Sequence, residues 1–532
     1  MRDGVYVSVI VLASIIFGFH NISTIPFWHW DEGVNANIAW NLAQGRLQMF
    51  AITYNFMPHP PFGFLVFAFA IRAFGYSVLT LRMFSAFLGI IIALFVYLIG
   101  RRLGSRELGF LAGLSYAVIP TMVYWRRMGF TYNILGLLLV LLVYCILTGR
   151  LRLAAAFAGL CAVTDMTGGI ILAFFMFFLV RRGLLSKRLV AISVAPLIVY
   201  SVAMVYAFRE EFFIDFFYLF ERFNLSVPKI LVVCALSLLV FKFRAGVISA
   251  VSRYVRMVSS IIAKDFEFTF AENAGFVMKS APYLMLLLLN AYWGREVFGA
   301  MDDDFFLNGI GYHWVGIFGL LMLRERWIFY YLFSPLLAFL LLINRADHML
   351  IPLHPLLAVG FGCLILQVYQ KAVVFSGGRV LPRAVFFVLA FYPLTFFLVQ
   401  DYSLFFLGKG LDVESIDDIV GVSEFVNNYS SAEDFVIGES CLDPYVDARL
   451  ATLLQSASYG GRGLAYYRDD IDNSRFLFNV SIENARLIVS RGNLSGWLVN
   501  SSREDVADYL NGLHLVYNNS EFMVLSQTMT PL

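Results

Sequence analysis

The chain has 532 residues, of which 60% are hydrophobic and only 14% charged, with a mean hydropathy of +0.75. Soluble domains carry charge on about a quarter of their residues, so this composition excludes a soluble enzyme and requires several membrane-crossing helices. A formal net charge of +2 excludes a basic nucleic-acid surface, and the five cysteines (Cys145, Cys161, Cys234, Cys363 and Cys441) form neither a metal-type cluster nor a disulfide framework.

Apolar stretches predict spans near 5–20, 79–100, 107–123, 133–148, 153–164, 168–180, 189–208, 228–243, 281–299, 309–323, 327–343, 350–370 and 384–400. The first could pass for a signal peptide, but no small-residue cleavage site follows it. Threaded from a cytoplasmic N-terminus, these thirteen spans put Arg101-Arg102, Arg150, Arg181-Arg182, Lys187-Arg188, Lys242 to Lys279, Arg324 and Lys371 to Arg383 on one side. That is the positive-inside pattern. The opposite side collects Asp31-Glu32, Glu210-Glu211, Glu221 and Asp302 to Asp304. Pro61 to Gly75 is apolar but short, and counting it as a span would invert the charge pattern, so it reads as a helix in the outer interface. Ala245 to Lys264, with its arginines and serines, reads as an amphipathic helix on the cytoplasmic surface.

Around Leu411 the composition changes. Helices are expected at Ser415–Asn428 and Ser502–Gly512, and strands at Asp434–Gly438, Arg486–Ser490 and Leu513–Tyr517. The expected architecture is a polytopic α-helical membrane domain over 1–405, with a first outer loop at 21–78, followed by a small extracytoplasmic α/β domain over 411–532. N-x-S sequons at Asn428, Asn479, Asn493, Asn500 and Asn518 place that domain outside, as a glycosylated surface. A serine-rich segment that produces sequons by composition is the alternative.

The candidate chemistry lies on the outer side. Asp31-Glu32 follows the first span in Trp28-His29-Trp30-Asp31-Glu32-Gly33, and carboxylates so close to hydrocarbon are functional by default. The bland alternative is an N-cap for a helix over Val34–Gln44. His59-Pro60-Pro61 opens the interfacial helix at the same depth. Arg126-Arg127 breaks the charge rule at the outer end of a span and suits a phosphate, which guanidinium groups bind bidentately. Snorkelling toward headgroups is its alternative. Tyr132 and Asn133 follow. Asp165 is either a further site carboxylate or a helix cap, and the cap is favoured. Glu221 sits in an aromatic stretch, Phe216 to Phe223. Arg345 and His348 precede Pro352, His354 and Pro355.

These motifs, in this order, resemble the GT-C superfamily of membrane glycosyltransferases, in the protein O-mannosyltransferase and aminoarabinose (lipid A) transferase branch. The resemblance runs from Trp28 to about His354. Asn133 stands where relatives often carry aspartate, His59 stands where some carry lysine, and no W-W-D-Y-G string of the oligosaccharyltransferases is present. The resemblance implies inverting transfer from a polyprenyl-phosphate (dolichyl-phosphate-like) sugar to an extracytoplasmic protein, lipid or glycan acceptor. In that frame Asp31 is the general base and Glu32 orients or binds the acceptor. Arg126, Arg127, His59 and Arg345 hold the donor phosphate. Tyr132, Asn133, Asp165, Glu221 and His348 meet sugar or acceptor. No cofactor is required for such chemistry; the Asp31-Glu32 pair is the one place for a Mg²⁺ or Mn²⁺ ion. A transporter or flippase of lipid-linked sugars is the main alternative, although no inverted repeat is visible. A scaffold acting through its C-terminal domain is another.

Overall fold

The structure, a computed structural model, describes residues 2–26, 29–53, 60–209, 212–214, scattered positions between 316 and 328, 347–375, 405–406, 416–461, 471–491, 512–519 and 521–527. The expected spans at 228–243, 281–299, 327–343 and 384–400, most of 309–323, and the helices at 245–264 and 502–512, lie outside the described residues.

The N-terminal part is helical throughout: α1 (Arg2–Phe19), α2 (Trp30–Ala43), α3 (Phe62–Phe74), α4 (Val78–Leu103), α5 (Arg106–Val118), α6 (Pro120–Arg126), α7 (Thr131–Leu147), α8 (Leu151–Ala162), α9 (Met166–Arg181) and α10 (Lys187–Phe208). A two-stranded hairpin, β1 (Gln48–Met49) and β2 (Ile52–Thr53), sits between α2 and α3. Side-chain oxygens set several starts: Ser77 accepts from the Leu79 N–H (3.0 Å), Ser105 from Leu108 (3.2 Å) and Ser186 from Leu189 (3.3 Å). Further along, a 3-10 turn (Asp347–Leu353) leads into α11 (His354–Phe375).

Three described helices are long and apolar enough to cross a membrane: Val78–Leu103, Lys187–Phe208 and Leu350–Gln367. The bent pair α5–α6 makes a fourth. α3 is the short apolar helix expected at the interface; it buries Phe64, Phe67 and Ile71 and exposes Leu65, Phe69 and Phe74. Antiparallel α4 and α5 approach backbone to backbone, because a Cβ on Gly109 would lie 2.5 Å from the Tyr97 carbonyl oxygen. The start of α1 joins the same end of the bundle: Asp3 accepts from Tyr97 Oη (2.9 Å) and faces Arg101 and Arg106 at 3.5 and 3.4 Å.

The predicted span at 107–123 is not one straight helix. It breaks at Ile119–Pro120 and turns by 64° between α5 and α6. Proline has no N–H to give the carbonyl four residues back, so the Tyr116 oxygen loses its intrahelical donor.

The C-terminal unit holds α12 (Ile416–Tyr429), β3 (Phe435–Ile437), β4 (Arg449–Ala451), α13 (Leu453–Tyr459), β5 (Leu487–Arg491), β6 (His514–Asn518) and β7 (Phe522–Ser526). The strands form one mixed sheet in the order β4-β3-β5-β7-β6, with β3 parallel to both β4 and β5, and β7 antiparallel to β5 and β6. All three β3 residues are buried, as an apolar run in a sheet centre should be. β1, β2, β4, α13 and β7 had no expectation from the sequence.

The unit is joined to the first loop at its β1–β2 hairpin. The Leu477 N–H donates to the Ala51 carbonyl (2.8 Å), Gln455 Nε2 to the Met49 carbonyl (2.9 Å), and Ile52 bridges to Phe476. Among the sequon residues, Asn428, Asn479 and Asn518 are exposed; Asn493 and Asn500 lie outside the described residues.

Candidate functional site

α2 begins where the sequence places the acidic pair. His29 is its N-cap: the imidazole Nδ1 accepts the Asp31 N–H at 3.1 Å, and the Glu32 carboxylate reaches back to the His29 N–H at 3.2 Å. Asp31 Oδ2 lies 3.7 Å from the same Nδ1. That nitrogen accepts the Asp31 N–H, so its lone pair is directed at the main chain, and the carboxylate oxygen lies beyond hydrogen-bond distance.

Successive helix positions diverge by about 100°, and the acidic pair divides accordingly. Glu32 is fully buried and takes Arg82 Nε on Oε1 (2.9 Å), Arg82 Nη2 on Oε2 (2.5 Å) and the Gly129 N–H on Oε1 (2.7 Å). Arg82 also donates to the Ile22 and Pro26 carbonyls (3.2 and 2.8 Å). Asp31 keeps 42% of its side chain exposed. Four donors hold the two Glu32 oxygens inside the protein and anchor the start of α2. Both Glu32 oxygens already accept hydrogen bonds from Arg82, Gly129 and His29. Among the described residues, no group of three or more His, Cys, Asp or Glu side chains could hold an ion.

Arg126 and Arg127 are also fully or nearly fully buried, at 1% and 0% exposed. Arg126 Nη1 donates to the Tyr116 carbonyl (3.1 Å) and Nη2 to the Ala117 carbonyl (3.0 Å), the two oxygens freed by the break before Pro120. Arg127 Nη1 donates to the Phe17 carbonyl (2.9 Å) and Nη2 to that of His20, at the end of α1, while its guanidinium lies over the Phe405 ring. Both guanidinium groups turn inward and donate to carbonyls at helix ends that a bend and a terminus leave open, so neither snorkels.

Among the described residues, several of the predicted segments touch one another. The α2 start meets the turn after Arg127 through Glu32 and through Asn35 Nδ2, which donates to the Gly129 carbonyl (2.9 Å); the His29 and Phe130 rings are 5.3 Å apart. The start of α3, directly after His59-Pro60-Pro61, meets two others: the Phe62 N–H donates to the Val163 carbonyl (3.0 Å), and Gly63 packs against Thr131 and Thr164. The Asp347–Leu353 turn packs on α7 beside Gly136.

Individual side chains differ in what they do. Tyr132 is buried. Asn133 is buried too, with Nδ2 donating to the Trp125 (3.2 Å) and Met128 (2.9 Å) carbonyls and with Oδ1 left without a partner. Asp165 is the N-cap of α9, accepting the Thr167 N–H (2.8 Å) and hydroxyl (2.7 Å). This cap is the alternative favoured from sequence. His354 is buried. His59, Glu221 and Arg345 lie outside the described residues, as does the side chain of His348. Sequence reasoning missed Arg82, although a lone cation four residues into an apolar span signals a buried partner.

The family described as dolichyl-phosphate-mannose-protein mannosyltransferase matches residues 58–208, from the His59-Pro60-Pro61 motif to the end of α10. Among solved structures, ArnT from Cupriavidus metallidurans bound to undecaprenyl phosphate superposes with a TM-score of 0.56 at 13% identity. The match covers 99% of this chain and 98% of that one. The chain has the GT-C fold. The oligosaccharyltransferase of Archaeoglobus fulgidus also superposes, with a TM-score of 0.50 at 14% identity over 99% of this chain and 74% of that one. No curated protein sequence matches. The family match and these folds agree with the protein O-mannosyltransferase and aminoarabinose transferase branch expected from the motifs.

Proposed function

We propose that the chain is a membrane glycosyltransferase of the GT-C type that takes its sugar from a lipid-phosphate-linked donor, with Asp31 as general base. The observation that carries the reading is the division of the acidic pair: Glu32 is locked against Arg82, while Asp31, one position earlier, keeps its carboxylate exposed. The solved relatives support the donor class. One is ArnT bound to undecaprenyl phosphate, and another is the archaeal oligosaccharyltransferase AglB in complex with an inhibitory peptide and a dolichol-phosphate.

In the proposed step the Asp31 carboxylate takes the proton of an acceptor hydroxyl as that oxygen attacks the anomeric carbon. The bond from that carbon to the phosphate oxygen breaks, and the polyprenyl phosphate leaves as an anion that needs electrostatic stabilisation, not a proton. With Arg126 and Arg127 engaged as helix caps, His59 and Arg345 are the residues assigned to that phosphate. The orphaned Asn133 Oδ1 is a buried acceptor that a sugar or acceptor hydroxyl would satisfy. The membrane part over 1–405 and the α/β unit over 411–532 are assigned as two domains, with the N-terminus cytoplasmic and the unit outside.

The test is incubation of purified protein with a panel of polyprenyl-phosphate sugars, including dolichyl-phosphate mannose and undecaprenyl-phosphate aminoarabinose. Release of the polyprenyl phosphate from at least one donor is expected. Movement of intact donors between leaflets, with none consumed, would make the chain a transporter.

A further inference from the structure

α2 is held from two directions. One face, through Glu32 and Asn35, is fixed to Arg82 and to Gly129 of the membrane part. The other face is formed by Trp30, Gly33 and Asn37, spaced three and four residues apart and therefore stacked along one side of the helix. This side lies against a single turn of the C-terminal unit. Ser440 Oγ donates to the Trp30 carbonyl (2.5 Å). Gly33 admits the turn by lacking a side chain: its Cβ would lie 2.3 Å from the Ser440 carbonyl carbon and 2.5 Å from the Cys441 nitrogen. Asn37 Nδ2 donates to Asp443 Oδ2 (2.8 Å), and Tyr76 Oη donates to the same oxygen.

Asp443 thus joins three stretches of chain that are remote in sequence: the helix bearing Asp31, the link between α3 and α4, and its own unit. The neighbourhood is rigid. The Tyr76 ring stacks on Trp40 of α2, with centroids 4.9 Å apart and planes within 5°. Ser77 Oγ lies 3.3 Å from Tyr445 Oη, and Asn37 Oδ1 accepts the Phe50 N–H (2.7 Å) and Asn41 Nδ2 (3.1 Å). Asp31 projects from the remaining edge of the helix, between the two held faces, so its direction depends on both.

We propose that Asp443 is a positioning residue for the transfer reaction: by holding Asn37 and Tyr76 together, it fixes the rotation and seat of α2 and so aims the Asp31 carboxylate. The C-terminal unit is then a working part of the site and not an appendage. For activity the proposal rests on Asp31 being the base; for the seating of α2 it does not.

The experiment compares Asp443→Ala, Asp443→Asn and Tyr76→Phe in the full-length protein by hydrogen exchange and by turnover. Amide exchange over residues 31–41 should rise about tenfold in Asp443→Ala, the scale of a lost buried hydrogen bond, with α4 unchanged. Asp443→Asn, whose amide oxygen can accept both donors, should restore protection, and Tyr76→Phe should give an intermediate rise. With a consumed polyprenyl-phosphate donor, kcat should fall in Asp443→Ala while the donor KM stays put, and Asp443→Asn should recover it. Unchanged exchange in α2, or an equal rise in every helix of Asp443→Asn and Tyr76→Phe, overturns the proposal. If no donor is consumed by the wild type, the functional reading fails, and the exchange data still decide the seating.

Discussion

Glu32 and Arg82 form a two-pronged ion pair with both side chains at 0% exposure, Nε to Oε1 at 2.9 Å and Nη2 to Oε2 at 2.5 Å. The pair connects the start of α2 to the start of α4. Removing one member of such a pair leaves an uncompensated buried charge and costs about 3–5 kcal/mol. Arg82→Met and Glu32→Gln are each expected to lower the melting temperature in detergent sharply, whereas the double variant should recover much of the loss. Equal losses from singles and double, or no loss at all, would show that the pair does not anchor α2.

The capping role of Arg126 separates cleanly from a phosphate role. Arg126→Gln should leave the Tyr116 and Ala117 carbonyls without their donors, at about 1–3 kcal/mol for each buried group. Its melting temperature should drop while the donor KM remains near wild type. A large rise in donor KM with unchanged melting would return Arg126 to the phosphate site.

Gly33→Ala places a methyl group where the Ser440 main chain lies, and neither backbone can give way cheaply. Overpacking of this kind costs about 1–3 kcal/mol. Limited proteolysis should release the C-terminal unit faster from this variant than from the wild type. Identical release rates would mean that the unit does not seat on α2.

Burial raises the carboxyl of Asp443 above its usual value of 3.8, with hydrogen bonds from Asn37 and Tyr76 opposing the rise. Tyr76 itself is raised by burial and by the neighbouring Asp443 charge, so it stays a neutral donor. A carboxyl whose folded value is raised binds its proton more tightly in the docked state. Docking is therefore most stable below the ordinary aspartate range, and this contribution is lost as pH rises through the raised value. Amide protection over residues 440–446 should be greater in mildly acidic than in neutral buffer, and the difference should vanish in Asp443→Asn. Protection that increases with pH would contradict this sign.

Among the described residues the helices were legible because apolar length is a composition-scale signal that survives without knowledge of packing. The starts of α2, α7 and α9 fell near their expected places for the same reason, aided by polar caps such as Asp165. The roles within the site were less legible. Asp31 and Glu32 are neighbours in sequence, yet a helix turns adjacent side chains to different surroundings, and only the position of Arg82 reveals which carboxylate is locked. Arg126 and Arg127 looked like ligand-binding cations because their actual partners are main-chain carbonyls, which carry no sequence signature. The contact between Gly33 and Ser440 joins residues some four hundred positions apart, beyond the reach of any local pattern.

The most direct test of the account is single-turnover transfer by Asp31→Asn beside wild type, using whichever polyprenyl-phosphate sugar the wild type consumes, with melting temperature and donor binding measured on the same preparations. Loss of a general base predicts a rate reduced by about 10²–10⁴-fold, with folding and donor affinity retained. Turnover within a few fold of wild type would remove Asp31 from the reaction.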